Sequence, residues 1–433
     1  MKRTVKQFNI NDIELFKKKL FHWATNFDEV VWLDSNFYKQ SHSNFESLLA
    51  VEAFTSIKTD YHNAFEDLKE YQSVTKDWLF GYLTYDLKND VENLSSSNHD
   101  GLLFPDLFFF QPKRLFLLKE DRVEFHYLGM IDDEIEEDYQ AILSYLDDEV
   151  YLDEAKEDIK IRLRIHKDEY FAKVNTMLAH IHRGDIYEAN FCQEFYAEDT
   201  AIDPIKTFQN LNKISQPPFA TFLKYEGKYL LSASPERYIK KKGTEIISQP
   251  IKGTARRASN PEEDALLVKD LQQDEKERSE NVMIVDLVRN DLSRVAIKGS
   301  VQVEELCKVY TFMQVHQLIS TVKATVSEEL HPVDIIKAAF PMGSMTGAPK
   351  LSAMKIIEEL EETKRGLYSG AVGYFSPNGD FDFNVIIRSI LYNDYLKYIS
   401  FSVGSAITSK SKPENEYEEC LIKAKAMREA LEN

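Results

Sequence analysis

Cysteine is scarce in this chain: three residues, Cys192, Cys307 and Cys420, in 433, with no CxxC pair. That scarcity argues against a disulfide framework and against a thiolate zinc site. Long apolar runs are missing too. The richest stretch, residues 102–110, is interrupted by Pro105 and Asp106, well short of the roughly 20 residues that a membrane-spanning helix needs. Residues 1–7 carry no apolar segment of signal-peptide type. Positive charge is in deficit, with 53 Lys and Arg against 72 Asp and Glu and a net charge of −19. This argues against a nucleic-acid partner, because phosphate recognition depends on clustered Lys and Arg. Short-period repeats and low-complexity tracts are absent. The expectation is a soluble, cytoplasmic protein with neither membrane nor nucleic acid as partner. An anionic small substrate remains open, since a divalent cation or a few arginines can invert the potential inside one cleft.

What is present is enough material for a substantial core: 43% of the residues are hydrophobic, and the length suggests two or three domains. An acidic stretch begins at residues 131–138 and continues through Asp147, Asp148, Glu149, Asp153 and Glu154. It reads as a solvated helix face or linker. It divides the sequence into an N-terminal region, 1–160, and a longer region, 161–433. In the first, Val30-Val31-Trp32-Leu33 and Trp78 to Leu83 read as strands, and residues 86–90 as a polar connection. In the second, residues 167–181 predict an amphipathic helix with Tyr170, Val174, Met177 and Ile181 on one stripe. Residues 334–340 and 348–362 predict two more helices, with Pro349 early in the latter. Two β-runs around Asn378-Gly379, residues 371–375 and 381–387, predict a hairpin. Hairpin strands with scattered helices indicate an α+β fold and not a doubly wound parallel sheet.

The most informative five residues are Pro250-Ile251-Lys252-Gly253-Thr254, sixteen residues after Ser234-Pro235-Glu236-Arg237. A lysine near pKa 10.4 is only about 0.04% neutral at pH 7. Desolvation of Lys252 is expected to lower its pKa and free an amine that attacks carbon; the alternative is a structural lysine beside a turn glycine. Two helical segments carry glutamates three residues apart, Glu277 with Glu280 and Glu416 with Glu419. Such pairs share a helix face and, if the helices face each other, converge in a way that suits Mg²⁺; the alternative is two solvated faces. The stretch 343–350 has a phosphate-loop outline but lacks the Gly-Lys-Ser/Thr ending. His316 is open between a core histidine and a catalyst.

In this order the motifs resemble those of the chorismate-utilising enzymes, the group of anthranilate synthase component I, aminodeoxychorismate synthase component I and the isochorismate and salicylate synthases. The matching stretches are Gly184-Asp185-Ile186-Tyr187, Ser234 to Arg237, Pro250 to Thr254, Glu280 to Asp291, Gly347 to Lys350, Tyr368 to Gly373 and Ile387-Arg388-Ser389. Phe80 to Asp86 is similar to the aminodeoxychorismate branch. The resemblance implies two antiparallel sheets packed face to face with helices outside, the N-terminal region contributing strands to the same unit. Lysine at 252, where anthranilate synthases carry alanine, implies amination of chorismate at C4. Lys252 would attack C2 as the C4 hydroxyl leaves, and ammonia would enter at C4 and expel the lysine, giving 4-amino-4-deoxychorismate for 4-aminobenzoate and folate. Glu236 would protonate the leaving hydroxyl. Glu277, Glu280, Glu416 and Glu419 would hold Mg²⁺. Tyr368 and Arg388 would grip the enolpyruvyl carboxylate, and Thr254, His316, Ser344, Gly404 and Lys423 fall at substrate-pocket positions.

Two positions depart from the group. Glu188 stands where the two aminating branches show glutamine and the water-adding enzymes use lysine, so water is not the expected nucleophile. Glu188 either binds ammonium or replaces an amide hydrogen bond. Ala406 stands in a stretch usually richer in glycine, where its methyl can crowd a substrate carboxylate. Leu33-Asp34-Ser35 resembles a tryptophan-pocket motif, or is a strand end with a turn. No cysteine lies in a Gly-x-Cys-x-Gly elbow, so ammonia is expected from a separate glutamine amidotransferase subunit. The alternatives are anthranilate synthase component I and a non-catalytic chorismate- or tryptophan-binding regulatory protein.

Overall fold

Alternation along single strands sets the plan of the fold. In the strand Val30–Asp34, Val30 and Trp32 join one hydrophobic cluster and Val31 another. In Ser47–Thr59, Leu49 and Val51 follow the first pair, and Leu48 and Ala50 follow Val31. Burial of successive residues into two different clusters means that Val30–Asp34 and the first five residues of Ser47–Thr59 are covered on both sides. The computed structural model describes residues 2–38, 45–145, 159–313 and 315–432, and its strands form one 20-stranded antiparallel network.

One layer runs from Glu188–Ala197 through Tyr398–Thr408, Ser389–Asn393, Lys228–Ser234, Phe219–Tyr225 and Val30–Asp34 to Ser47–Thr59. The other runs from Leu79–Leu83 through Ala371–Phe375, Phe381–Val385, Arg237–Lys242 and Glu245–Gln249 to Val315–Thr325. The long strand Leu107–Lys119 joins them, pairing with Ser47–Thr59 and, at residues 107–110, with Leu79–Leu83. Its register against Ser47–Thr59 shifts between Ala53 and Thr55, beside Pro112; a bulge of this kind bends a strand and sharpens its twist. Phe108 from one layer stacks on Tyr225 from the other with ring centroids 3.8 Å apart. The two sheets implied by the family resemblance are thus two layers of one continuous sheet, folded over where its longest strands bend.

Helices cover the outer faces. Ile13–Ala24, Lys167–Arg183 and Pro413–Glu432 pack on the first layer through Leu20, Tyr170, Val174, Met177, Ala424 and Met427. Ala64–Thr75, Glu275–Ser293 and Pro332–Ala339 pack on the second. Each large side chain buried this way is worth about 1.5–3 kcal/mol of transfer free energy. Strand pairing crosses residue 160: Val30–Asp34 pairs with Phe219–Tyr225, and Leu79–Leu83 with Ala371–Phe375. Among the described residues no helix is long and apolar enough to cross a membrane.

Two local expectations change and one holds. Residues 86–90 are not a solvated connection: Asp86 is buried and accepts from the Gly366 amide at 2.8 Å. The acidic stretch is, as expected, a largely solvated helix face: a short turn and the helix Ile135–Ser144, with Asp133, Glu136 and Glu137 exposed. There Asp138 receives hydrogen bonds from Arg114 and the Tyr127 hydroxyl. Its continuation at Asp147, Asp148, Glu149, Asp153 and Glu154 lies outside the described residues. The predicted 348–362 helix begins at Lys350, with Pro349 as the residue that precedes it.

Candidate active site

A cavity of about 450 Å³ opens where the Ile251–Arg256 strand, the Glu275–Ser293 and Pro413–Glu432 helices and the Tyr398–Thr408 strand meet. Lys252 reaches it because the strand is irregular. Its register against Val315–Thr325 shifts between Ile251 and Thr254, and Gly253 sits at φ +94°. A Cβ on Gly253 would come within 2.9 Å of Leu318 Cδ1 and 3.2 Å of Glu277 Oε2, so only glycine suits both the backbone and the space. Asn281, buried on the adjoining helix, donates to the carbonyls of Lys252 and Leu318, each at 3.2 Å. That pair of bonds pins the bulged strand to the helix bearing Glu277 and Glu280.

The Lys252 side chain is 16% exposed, and its Nζ lies 3.6 Å from Glu188 Oε1. Burial disfavours its charge, yet the carboxylates of Glu188, Glu280, Glu419 and Glu236 outweigh burial and raise its pKa above the ordinary lysine value. This corrects the expected downward shift: the amine is held as ammonium by its neighbours. Glu236 shows the opposite balance. It is 4% exposed, and burial pushes its carboxyl up to about 7, against the Ser344 hydrogen bond and Lys252, which favour the anion. Ser344 Oγ donates to Glu236 Oε1 at 2.6 Å. A carboxyl near 7 at neutral pH can hold a proton or give it up.

All four glutamates expected at a metal, Glu277, Glu280, Glu416 and Glu419, line this cavity. Asp274 caps the first helix by accepting from the Glu277 amide at 2.9 Å, which fixes the turn that carries Glu277. Burial raises Glu277 and pushes Glu280 up to about 7. Glu419 is disfavoured by burial but held below its usual range by Lys423, 2.5 Å away. Lys276 lies 3.8 Å from Glu280. Among the described residues no three His, Cys, Asp or Glu side chains stand close enough to form a ready ligand cluster. The donor set is nonetheless all carboxylate oxygen, which suits Mg²⁺.

Tyr368, Arg388, Thr254, Ser344, Gly404 and Lys423 line the same cavity. Burial lowers the pKa of the Arg388 guanidinium, against the charges of Tyr368 and Glu419, which favour the cation; among the described residues it makes no ion pair within 4 Å. Lys423 Nζ donates to the Gly404 carbonyl at 2.8 Å. A Cβ on Gly404 would meet Cys192 Sγ at 2.5 Å and Asn190 Oδ1 at 2.7 Å, so this glycine is required by the close approach of the neighbouring strand. Ala406 presents its methyl to the cavity.

His316 does not join them. On the Val315–Thr325 strand Val315 and Gln317 face the cavity. Alternation turns His316 away, fully buried, with Nε2 2.9 Å from Asp264 Oδ1 and Nδ1 2.9 Å from Thr311 Oγ1. The phosphate-loop outline also resolves structurally: Lys350 is buried, donating to Asp291 Oδ2 at 2.7 Å and the Pro341 carbonyl at 2.8 Å. Leu33, Asp34 and Ser35 line a separate cavity of about 70 Å³. Asp34 Oδ1 is already engaged there by Lys17 Nζ at 2.8 Å, Ser47 Oγ at 2.9 Å and the Asn36 amide at 3.0 Å.

Sequence reading missed the supports. Arg365 donates to the Met345 and Asn190 carbonyls, each at 2.6 Å, and Glu361 pairs with it and accepts from the Cys192 amide at 2.9 Å. Their i,i+4 spacing was a usable signal; Asn281 lay inside the matched stretch Glu280 to Asp291, and Gln317 left no signal.

The sequence matches the family model described as chorismate binding enzyme over residues 23–429. Aminodeoxychorismate synthase component 1 of Klebsiella aerogenes is 40% identical over 272 residues, 63% of this chain and 60% of that protein. The anthranilate synthase component I-like protein of Synechocystis is 33% identical over 371 residues, 86% of this chain and 76% of that protein. The crystal structure of anthranilate synthase component I from Streptococcus pneumoniae TIGR4 superposes with a TM-score of 0.77 at 27% identity, covering 90% of this chain and 95% of the other. The chain spans 29% to 60% of the length of the curated aminodeoxychorismate synthases it matches. With the family model matched over residues 23–429 of the 433, the chain belongs to the chorismate binding enzyme family.

Proposed function

We propose that this chain aminates chorismate to 4-amino-4-deoxychorismate through a covalent intermediate on Lys252, with ammonia from a glutamine amidotransferase partner. The observation that carries the reading is that a sheltered lysine, Lys252, and a buried carboxyl brought to about 7, Glu236, line one cavity. A nucleophile and an acid on one ring divide a difficult displacement into two easier ones. Glu236 holds the proton that the departing C4 oxygen needs, and Ser344 orients it. Arg388, in no direct ion pair with a protein carboxylate, offers a planar fork for a substrate carboxylate, and Tyr368 stands in the same lining. Glu277, Glu280, Glu416 and Glu419 would hold Mg²⁺, which when bound supplies an electrostatic clamp for a substrate carboxylate.

Anthranilate formation is the second reading, favoured by the more extensive match to the anthranilate synthase component I-like protein. Lysine at 252 speaks against it. The test is a mass-resolved product assay with chorismate, Mg²⁺ and ammonium, for the wild type and Lys252→Ala. Aminodeoxychorismate from the wild type, lost in the variant, supports the reading. Anthranilate overturns the branch; chorismate bound and unchanged overturns catalysis.

A further inference from the structure

Glu188 is a buried charge that the reaction as proposed leaves unused. It begins the Glu188–Ala197 strand, between Gly347–Ala348 and Tyr398–Thr408, with its side chain 3% exposed. Its Oε1 faces Lys252 Nζ at 3.6 Å, and its buried Oε2 has no hydrogen-bond partner. A buried carboxylate oxygen without a donor is costly and calls for an explanation. The other charged groups facing Lys252 are Glu280 and Glu419 on the two cavity helices, and Glu236 before the Arg237–Lys242 strand. Each of these has another partner: Lys276, Lys423 and Ser344 respectively. Among the described residues Lys252 is the sole ion-pair partner of Glu188.

Building on the covalent-lysine reading, we propose that Glu188 is the proton acceptor for Lys252, taking a proton from the ammonium before attack and returning it after the lysine is expelled. The ammonium–carboxylate pair becomes an amine–carboxylic acid pair, so no new net charge is created in the buried site. The free lone pair forms the bond to C2, the two ring double bonds shift, and the C4–O electrons leave on oxygen. Glu236 protonates that oxygen, which departs as water. Ammonia then bonds to C4, the double bonds shift back, and the C2–N bond breaks to release neutral lysine. The new C4 ammonium gives one proton to the Glu236 carboxylate, and Glu188 returns its proton to Lys252. The net reaction is chorismate plus ammonia to aminodeoxychorismate plus water. The distance of 3.6 Å is long for a hydrogen bond, as proton-transfer pairs often are before substrate closes the site. Ammonium binding fits less well, because the carboxylate already faces a cation.

Glutamine at 188 cannot take the proton, so solvent must, and the rate then depends on pH. The experiment follows formation of the Lys252 adduct by peptide mass in single turnover, with chorismate and Mg²⁺ and without ammonium, from pH 6.5 to 8.5. The ratio of the Glu188→Gln rate to the wild-type rate cancels the titration of Glu236, common to both. It is expected to rise about tenfold per pH unit, and formate is expected to restore Glu188→Ala by at least about tenfold. A pH-independent ratio, or no rescue by formate in folded Glu188→Ala, overturns the proposal while leaving the covalent lysine standing. Normal adduct formation in Glu188→Gln with impaired use of ammonium also overturns it, in favour of an ammonium site. Absence of any wild-type adduct overturns the underlying reading instead.

Discussion

Glu236→Gln is expected to abolish activity and stabilise the protein at the same time. The carboxyl is 4% exposed and lies at about 7, raised from 4.5 mainly by burial. Because the folded value is above the unfolded one, the native state holds a proton that the unfolded chain has released between about pH 4.5 and 7. Stability therefore falls as pH rises through that window, and the cost is complete above about 7. At about 1.36 kcal/mol per pKa unit the full cost is about 3 kcal/mol. Glutamine can still accept the Ser344 hydrogen bond but does not titrate, so it escapes this cost. Urea unfolding of both proteins at pH 5.5 and 8.5 is the assay, since other titrations are common to both and cancel in the difference. The variant's advantage is expected to be about 1 kcal/mol at the lower pH and to grow by about 2 kcal/mol at the higher. An equal difference at both pH values, or a wild type more stable at pH 8.5, would refute the reasoning.

Ser344→Ala removes the hydrogen bond that favours the Glu236 carboxylate. The alkaline limb of kcat/KM is expected to move up by about one pH unit; a downward move in the pH–rate profile contradicts this. Gly253→Ala forces a side chain onto φ +94° and 2.9 Å from Leu318 Cδ1, and is expected to cost about 1–3 kcal/mol in denaturant unfolding with slower adduct formation at Lys252. Unchanged stability would mean that the bulge is not needed. Glu280→Gln is expected to weaken Mg²⁺ binding by at least about tenfold in calorimetry with little change in melting temperature; unchanged affinity would exclude Glu280 as a ligand.

The strongly periodic elements were legible in the sequence. The predicted 167–181 helix is Lys167–Arg183, with the four residues of its stripe buried. The Asn378-Gly379 hairpin pairs Ala371–Phe375 with Phe381–Val385. Short-range pattern reports which face a residue takes, and nothing more. The fold-over at Leu107–Lys119 was not legible, because it depends on a register shift between strands about 60 residues apart. In the site, local pattern marked Lys252 and the two glutamate pairs, the family resemblance added Glu236 and the roles, and the structure brings all six to one cavity. His316 did not follow, since one step of strand alternation sends it to Asp264 and Thr311. The direction of the Lys252 shift was misread because local sequence announces desolvation but not the four carboxylates that three-dimensional folding places around the amine.

The most direct test of the central claim is the mass of the Lys252-containing peptide after incubation with chorismate and Mg²⁺ and without ammonium. A mass increase equal to chorismate less water, discharged as aminodeoxychorismate when ammonium is added and absent in Lys252→Ala, is the expected result. An unmodified peptide in enzyme that still makes aminodeoxychorismate would contradict the covalent lysine.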